Sequence, residues 1–414
     1  MISIYTGVTG LKAHQEAVDV IANNIANINT VGFKAGRANF QEALSQTLRA
    51  ASAAGGGRGT RNPMQLGLGS SIGSIDNLMT QGNLKFTGNS TDLAIQGNGF
   101  FLLSDGTGEY LTRNGAFVLD ADNRLISAGT GLAVLGWQAD PVTGDVATEQ
   151  MVTPSSYINI PIGVMSVARA TENVAYQANL DAGAAAAATV DTSCYIYDSL
   201  GNQHRVDIQF TKTANPNEWT WAASSPDADP GVPGSTGTLL FDENGQITTP
   251  TFTLAVTLLN AGGATNPISA DLSFAGVTQL AGASTVQAVS QDGLPMGTLE
   301  SFTIDDQGII SGTFTNGMFR TLGQISLARF ANPAGLTKAG NSLWRTSVAS
   351  GPAAVVIPAT ADAGTLAAGY LEQSNVDLAT EFANLIVTQR GFQANSRVIT
   401  TADEMLQDVL TIKR

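Results

Sequence analysis

The sequence predicts a mainly β protein with α-helical ends. Apolar residues fall at strict sevens near both termini, while between them the pattern changes to short alternating runs punctuated by Gly, Asn and Asp. Composition agrees. Gly 45 and Pro 14 among 414 residues, with only 13% charged, suit short strands joined by tight turns; 43% hydrophobic content is enough to bury real cores.

At the N-terminus Ile4, Leu11, Val18 and Ile25 form the heptad row, with Val8, Ile21, Ala22 and Ile28 beside it. Asn23, Asn24, Asn27 and Asn29 are weak helix formers, so the helix should fray or turn there. At the other end, 374–414 contain no proline and a single glycine, Gly391. Leu378, Leu385, Phe392, Ile399 and Leu406 repeat at sevens, and a second row holds Phe382 and Leu410 with Gln389, Ser396 and Asp403. Ser374 and Asp377 have the form of a capping box, and Lys413 and Arg414 sit where a helix dipole favours cations. Such a helix is on the order of 50 Å long. The two helices either pair, bundle with those of other copies, or cover one globular core. The partly polar second row favours an assembly seam, since lone polar residues there set register.

Between the helices, 36–50 has helical spacing through Phe40, Leu44 and Leu48, and the glycine-rich 53–59 reads as flexible. Taken together, 35–75 reads as an extended connector with little core. From about 76 the period becomes two. Residues 92–103 read as strand, glycine turn, strand; further short strands follow, with turns at 120–123, 198–202, 241–245 and 305–308. Trp219 and Trp221 alternate with Thr220 as in a strand with one covered face, and a Thr-rich strand follows at 248–259. Composition breaks occur at Asp140-Pro141 and Pro161, and 346–366 reads as loop.

Little here suits catalysis. Two histidines, His14 and His204, have no second ligand at metal spacing, and Cys194 alone permits no intrachain disulfide. Its bland reading is a small apolar residue in a strand. The Asp-rich turns lack the twelfth-position glutamate of a calcium loop and have the residues hairpins need. No catalytic residue, cofactor or metal is expected. A net charge of −14 argues against nucleic acid as partner. No run approaches the ~20 apolar residues of a membrane span, and no leader pattern opens the chain, which fits a cytosolic protein or one exported without a cleaved signal.

Residues 22–34 (ANNIANINTVGFK) closely resemble the N-terminal signature of bacterial flagellar rod and hook proteins, the axial protein family. Residues 371–378 (LEQSNVDL) and 389–396 (QRGFQANS) look like its C-terminal signature; 62–67 (NPMQLG) and 92–101 also resemble it. The middle is similar to hook proteins at 197–204 (YDSLGNQH) with Trp219, and at 330–336 (FANPAGL) with Gly340, Asn341 and Trp344.

The resemblance implies a nested, multidomain architecture. Residues 1–30 and 366–414 would form an inner coiled-coil assembly domain, 31–75 a connector, 76–146 with 291–365 a discontinuous β domain, and 147–290 a second β domain inserted in it. The implied function is structural: a flagellar hook subunit whose copies build a flexible tube around the export channel. Implied partners are other copies, rod proteins, the hook cap, the hook–filament junction proteins and the export apparatus. The alternatives are a stiff distal-rod protein or a surface adhesin. The expected assembly interface is Ile4, Leu11, Val18, Ile25, Asn23 and Asn27 of the first helix. On the last helix it is Leu378, Phe382, Leu385, Phe392, Asn395, Ile399, Leu406 and Leu410.

Overall fold

The computed structural model describes residues 2–51, 60–140, 143–163, 166–360 and 363–412. The glycine-rich 53–59, Pro141, Lys413 and Arg414 lie outside them. The chain divides into two compact units. One comprises Met1–Ile160, Thr303–Ser311 and Thr321–Arg414; the other comprises Pro161–Phe302 and Gly312–Arg320. The cuts thus fall at Pro161 and after Phe302, whereas the inserted domain was expected at 147–290.

The first unit carries both helices, α1 (Ile2–Ala26) and α2 (Leu378–Ile412). α1 ends among its asparagines: the Asn27 N–H reaches the carbonyls of Asn23 and Asn24, and the chain turns through 27–32. α2 starts later than the capping box implied. Asp377 is its cap, accepting from the Ala379 N–H at 3.0 Å and the Thr380 hydroxyl at 2.8 Å, while the Ser374 hydroxyl accepts from the nearby Val376 N–H.

The helix expected over 36–50 is instead two strands. Gly36–Glu42 pairs antiparallel with Ser70–Asn77, and Ser45–Arg49 with Met64–Gly67, making a two-stranded ribbon. The spacing of Phe40, Leu44 and Leu48 is a multiple of both two and four, so it fits a strand face as well as a helix face. Strand partners some thirty residues ahead decide between them.

Beyond the ribbon, the central strand of the main sheet is Phe100–Ser104, whose residues are all buried. It pairs with Glu109–Thr112 and Ala133–Val134, and also with Leu327–Arg329 from far along the chain. Leu343–Arg345 extends the sheet beside Glu109–Thr112. Within the expected loop 346–366, Ala354–Val356 forms a strand against Leu327–Arg329, a correction the short apolar run did not signal. Phe100, Leu102, Leu111, Trp137, Phe330 and Trp344 meet in the core of this β region. Two small pairings tie the approach to α2 into it: Thr365–Ala368 with Leu93–Gln96, and Tyr370–Glu372 with Leu84–Phe86.

The second unit is built on two four-stranded sheets. One is an antiparallel meander of Thr189–Tyr197, Gln203–Lys212, Glu218–Ser224 and Thr236–Leu240. The other orders Thr251–Val256, Ile268–Leu280, Asn173–Asp181 and Gln287–Gln291, with the two middle strands parallel. Alternate residues of both sheets meet in one core, with Trp219, Trp221, Tyr176, Phe210 and Phe274 fully buried. Cys194 belongs to it; burial pushes its thiol up, and the Tyr176 hydroxyl donates to the sulfur at 3.1 Å.

The Asp-rich turns share one geometry. Asp120, Asp198, Asp242 and Asp305 each accept, through Oδ1, from the N–H two and four residues ahead. The residue three ahead has positive φ in every case: Asn123, Gly201, Gly245 and Gly308. These carboxylates close hairpins.

Candidate assembly interface

α1 and α2 run antiparallel against each other. Gly7 lies against Ile399, Gly10 against Asn395, Gly391 against His14, and the Asn24 amide donates to Glu381 at 3.2 Å. The covered face of α1 is Gly7, Gly10, Ala13, Ala17, Ile21 and Asn24. The most covered positions of α2 are Thr388 and Ala402, in a row at sevens with the half-buried Glu381 and Asn395. The intrachain seam is therefore made mainly of small and polar residues, with Ile21 and Ile399 as its large apolar members. A Cβ at Gly10 would lie 2.8 Å from Asn395 Oδ1, so the glycine sets how closely the helices approach.

Of the expected interface residues, Asn395 and Ile399 lie in this seam, and most of the others flank it. Ile4, Leu11, Val18, Ile25, Leu385, Asn395 and Ile399 are half-buried. Leu378, Phe382, Phe392, Leu406 and Leu410 are exposed, at 40% to 69%. By helical spacing Leu378, Phe382 and Ile386 run along one side of the covered row, and Val387, Val398 and Met405 along the other; all are exposed. Further on, every described side chain from Asp403 to Thr411 is exposed. Asn23 and Asn27 bond to each other at 3.1 Å, and Thr30 donates to Asn27 at 3.0 Å, which fixes the turn after α1.

Where the helices enter the β region, polar side chains form a lock that the heptads did not reveal. Asn24 makes a reciprocal pair with the Gly36 backbone, donating to its carbonyl at 2.8 Å and accepting from its N–H at 2.9 Å. Asn375 accepts from the Ala35 N–H at 2.8 Å and donates to the Leu78 carbonyl at 2.8 Å. Beneath them Lys34, Arg113 and Glu372 are buried together. Lys34 Nζ stands 2.6 Å from Glu372 Oε1, Arg113 stands 3.4 Å from Oε2, and the Gly82 N–H donates to Oε1 at 2.9 Å. Burial pulls Lys34 and Arg113 below their usual ranges, opposed in each case by the Glu372 charge. Glu381 is pushed up by burial; the Asn24 hydrogen bond opposes this and the Asp377 charge adds to it. Gly32, at φ 68°, passes so close that a Cβ would lie 2.7 Å from the Arg113 and Asn114 backbone. The signal for this lock was present: Lys34, Glu372 and Asn375 all lie in the two end signatures of a charge-poor chain.

Helices from both ends, locked to a β region whose strands come from either side of an intervening unit, have the form of a flagellar axial protein. Comparison with known families agrees along most of the chain. Residues 4–34 match the flagella basal body rod protein family, and 367–412 the C-terminal family of the flagellar basal body rod FlgEFG proteins. Residues 94–171 match the D1 domain of the flagellar hook proteins FlgE/F/G, and 168–294 the D2 domain of the flagellar basal body protein FlaE. A crystal structure of Helicobacter pylori flagellar hook protein FlgE2 aligns at a TM-score of 0.49 and 14% identity, covering 70% of this chain and 100% of its own. The flagellar hook proteins FlgE of Borreliella burgdorferi and Treponema pallidum are each 38% identical, with 100% of both chains covered. The chain belongs to the flagellar hook protein FlgE family and is a structural subunit of the hook.

Proposed function

We propose that copies of this chain polymerise through the exposed rows of α1 and α2. These helices form the inner wall of a tube around the export channel, and the β units form its outer layers. Subunits slide axially as the tube turns, so the polymer bends while it carries torque from rod to filament, and no step is catalytic. Rod, cap and junction proteins meet its ends, and the subunit acts outside the cell. One observation carries the assembly reading: large apolar side chains on α2 stand outside a seam of Gly, Ala, Thr and Asn. Leaving such a row in water is unfavourable by roughly 25 cal/mol per Å2 of apolar surface, which a neighbour's helices recover on contact.

Phe382→Asp and Leu406→Asp test this. Both positions are exposed in the single chain, so subunit stability should change by no more than about 0.5 kcal/mol. In the polymer each places a carboxylate in an apolar contact, costing several kcal/mol per copy. Sedimentation should find monomers only, where the unaltered chain gives tubes. Normal polymers from both variants would remove the helix rows from the interface. Electron microscopy of the unaltered polymer should show curved tubes; straight ones would indicate a rod-like role.

A further inference from the structure

The buried lock is unbalanced: two cations, Lys34 and Arg113, share one carboxylate, Glu372. Beside Arg113 opens a cavity of about 330 Å3, lined also by Asn98, Phe100, Arg329 and Phe330. Arg113 is only 3% exposed. Its guanidinium lies over the Phe100 ring at 5.2 Å, with one terminal nitrogen on Glu372 and the other on the Gly97 carbonyl at 2.8 Å. Among the described residues its Nε–H has no hydrogen-bond partner. Arg329, half-buried, brings a second guanidinium to the wall.

We propose that this cavity is a carboxylate-binding pocket, occupied in the polymer by an Asp or Glu side chain of a neighbouring copy. A buried N–H without an acceptor is costly, and a guanidinium edge matches a carboxylate in both shape and charge. An incoming carboxylate also restores charge balance around the Lys34–Glu372–Arg113 cluster. Carboxylates are plentiful on a second copy, with 34 Asp and Glu against 20 Lys and Arg. The pocket itself does not depend on polymerisation; the neighbouring copy as source rests on the assembly reading above.

Acetate is the probe. Melting of the full-length subunit is compared in sodium acetate and in sodium chloride at equal ionic strength. The unaltered chain should melt higher in acetate by about 2 °C or more, as for any ligand bound only to the native state. The gain should vanish in Arg329→Gln and in Arg113→Lys. Arg329→Gln leaves the Lys34–Glu372–Arg113 cluster intact, so it remains readable if Arg113→Lys folds poorly. An equal shift in the unaltered chain and Arg329→Gln, or no shift in either, overturns the pocket. Polymerisation then identifies the source. Acetate should raise the subunit concentration needed for tube growth at least twofold over chloride, and Arg329→Gln should raise it in both salts. Stabilisation by acetate with unchanged growth overturns the neighbouring copy and leaves a pocket for free carboxylates. Growth in neither salt would count against the assembly reading, while the melting comparison still decides the pocket.

Discussion

The sandwich of the second unit and the helix pair of the first treat their large apolar residues in opposite ways. In the sandwich the covering surface lies within the chain: the Tyr176, Phe210, Trp221 and Phe252 rings stand 5.2 to 6.0 Å from Phe274, which is fully buried. In α1 and α2 the covered side chains are mostly small or polar, and most of the large apolar ones remain exposed or half-buried. Apolar spacing therefore marks a surface that is to be buried without saying which chain buries it. The sandwich is complete in one copy; under the proposed assembly, the helix pair is half of a larger contact.

Phe274→Ala should break the comparison most. Removing a ring from the centre of four aromatic contacts leaves a cavity and costs about 4 kcal/mol. Denaturant titration followed by the fluorescence of Trp219 and Trp221, with Trp137 and Trp344 replaced by Phe, should show the second unit unfolding earlier, while the helical signal at its own midpoint stays put. A joint shift would mean that the two units do not unfold independently.

Next in size is Glu372→Gln, which leaves Lys34 and Arg113 buried without their shared carboxylate and should cost about 3 kcal/mol. Here the helical transition should move, and the fluorescence transition of Trp219 and Trp221, read with Trp137 and Trp344 replaced by Phe, should not. An unmoved helical midpoint would show that the lock does not hold the helices.

The smallest effect is with pH, at the start of α2. Bonds from the Thr380 hydroxyl and the Ala379 N–H hold Asp377 below the usual aspartate range. Its cap is therefore in place above the unfolded value of about 3.9 and is lost as pH falls through the lower folded value. Glu381, pushed up by burial, has the opposite sign: its contribution is fullest below about 4.3 and declines as pH rises through the raised value. Amide exchange in the first turn of α2 should quicken at the acid end, and Asp377→Asn should flatten that limb. Glu381→Gln should flatten the other. If neither variant changes the profile, the turn is held by its neighbours and not by these carboxylates.

What the sequence disclosed follows the same division. The helices, the tryptophan-bearing strand and the Asp turns were legible because each depends on neighbours within a few residues. The seam was not. Leu378, Phe392 and Leu406 stood out at sevens, yet the row that meets α1 runs through Glu381, Thr388, Asn395 and Ala402, side chains with little hydrophobic signal. The strand at 36–42 was misread because its partner at 70–77 is distant and its apolar spacing fits two structures. The lock was missed because its three charges lie in three separate segments, although two of them sit in the end signatures.

Lys34 and Glu372 are 338 positions apart. During synthesis from the N-terminus, α1 and Lys34 emerge first, while Glu372 and the whole of α2 come last. The sandwich, whose core strands run continuously from Asn173 to Gln291, can form in the meantime. The first unit cannot close until nearly the last residue is free, because Glu372 and α2, which its first residues meet, have no earlier substitute. A chain cut short before Glu372 should therefore keep a folded sandwich and an open first unit. Such a fragment lacks both the lock and α2, so under the proposed assembly an incomplete copy has little with which to enter a polymer.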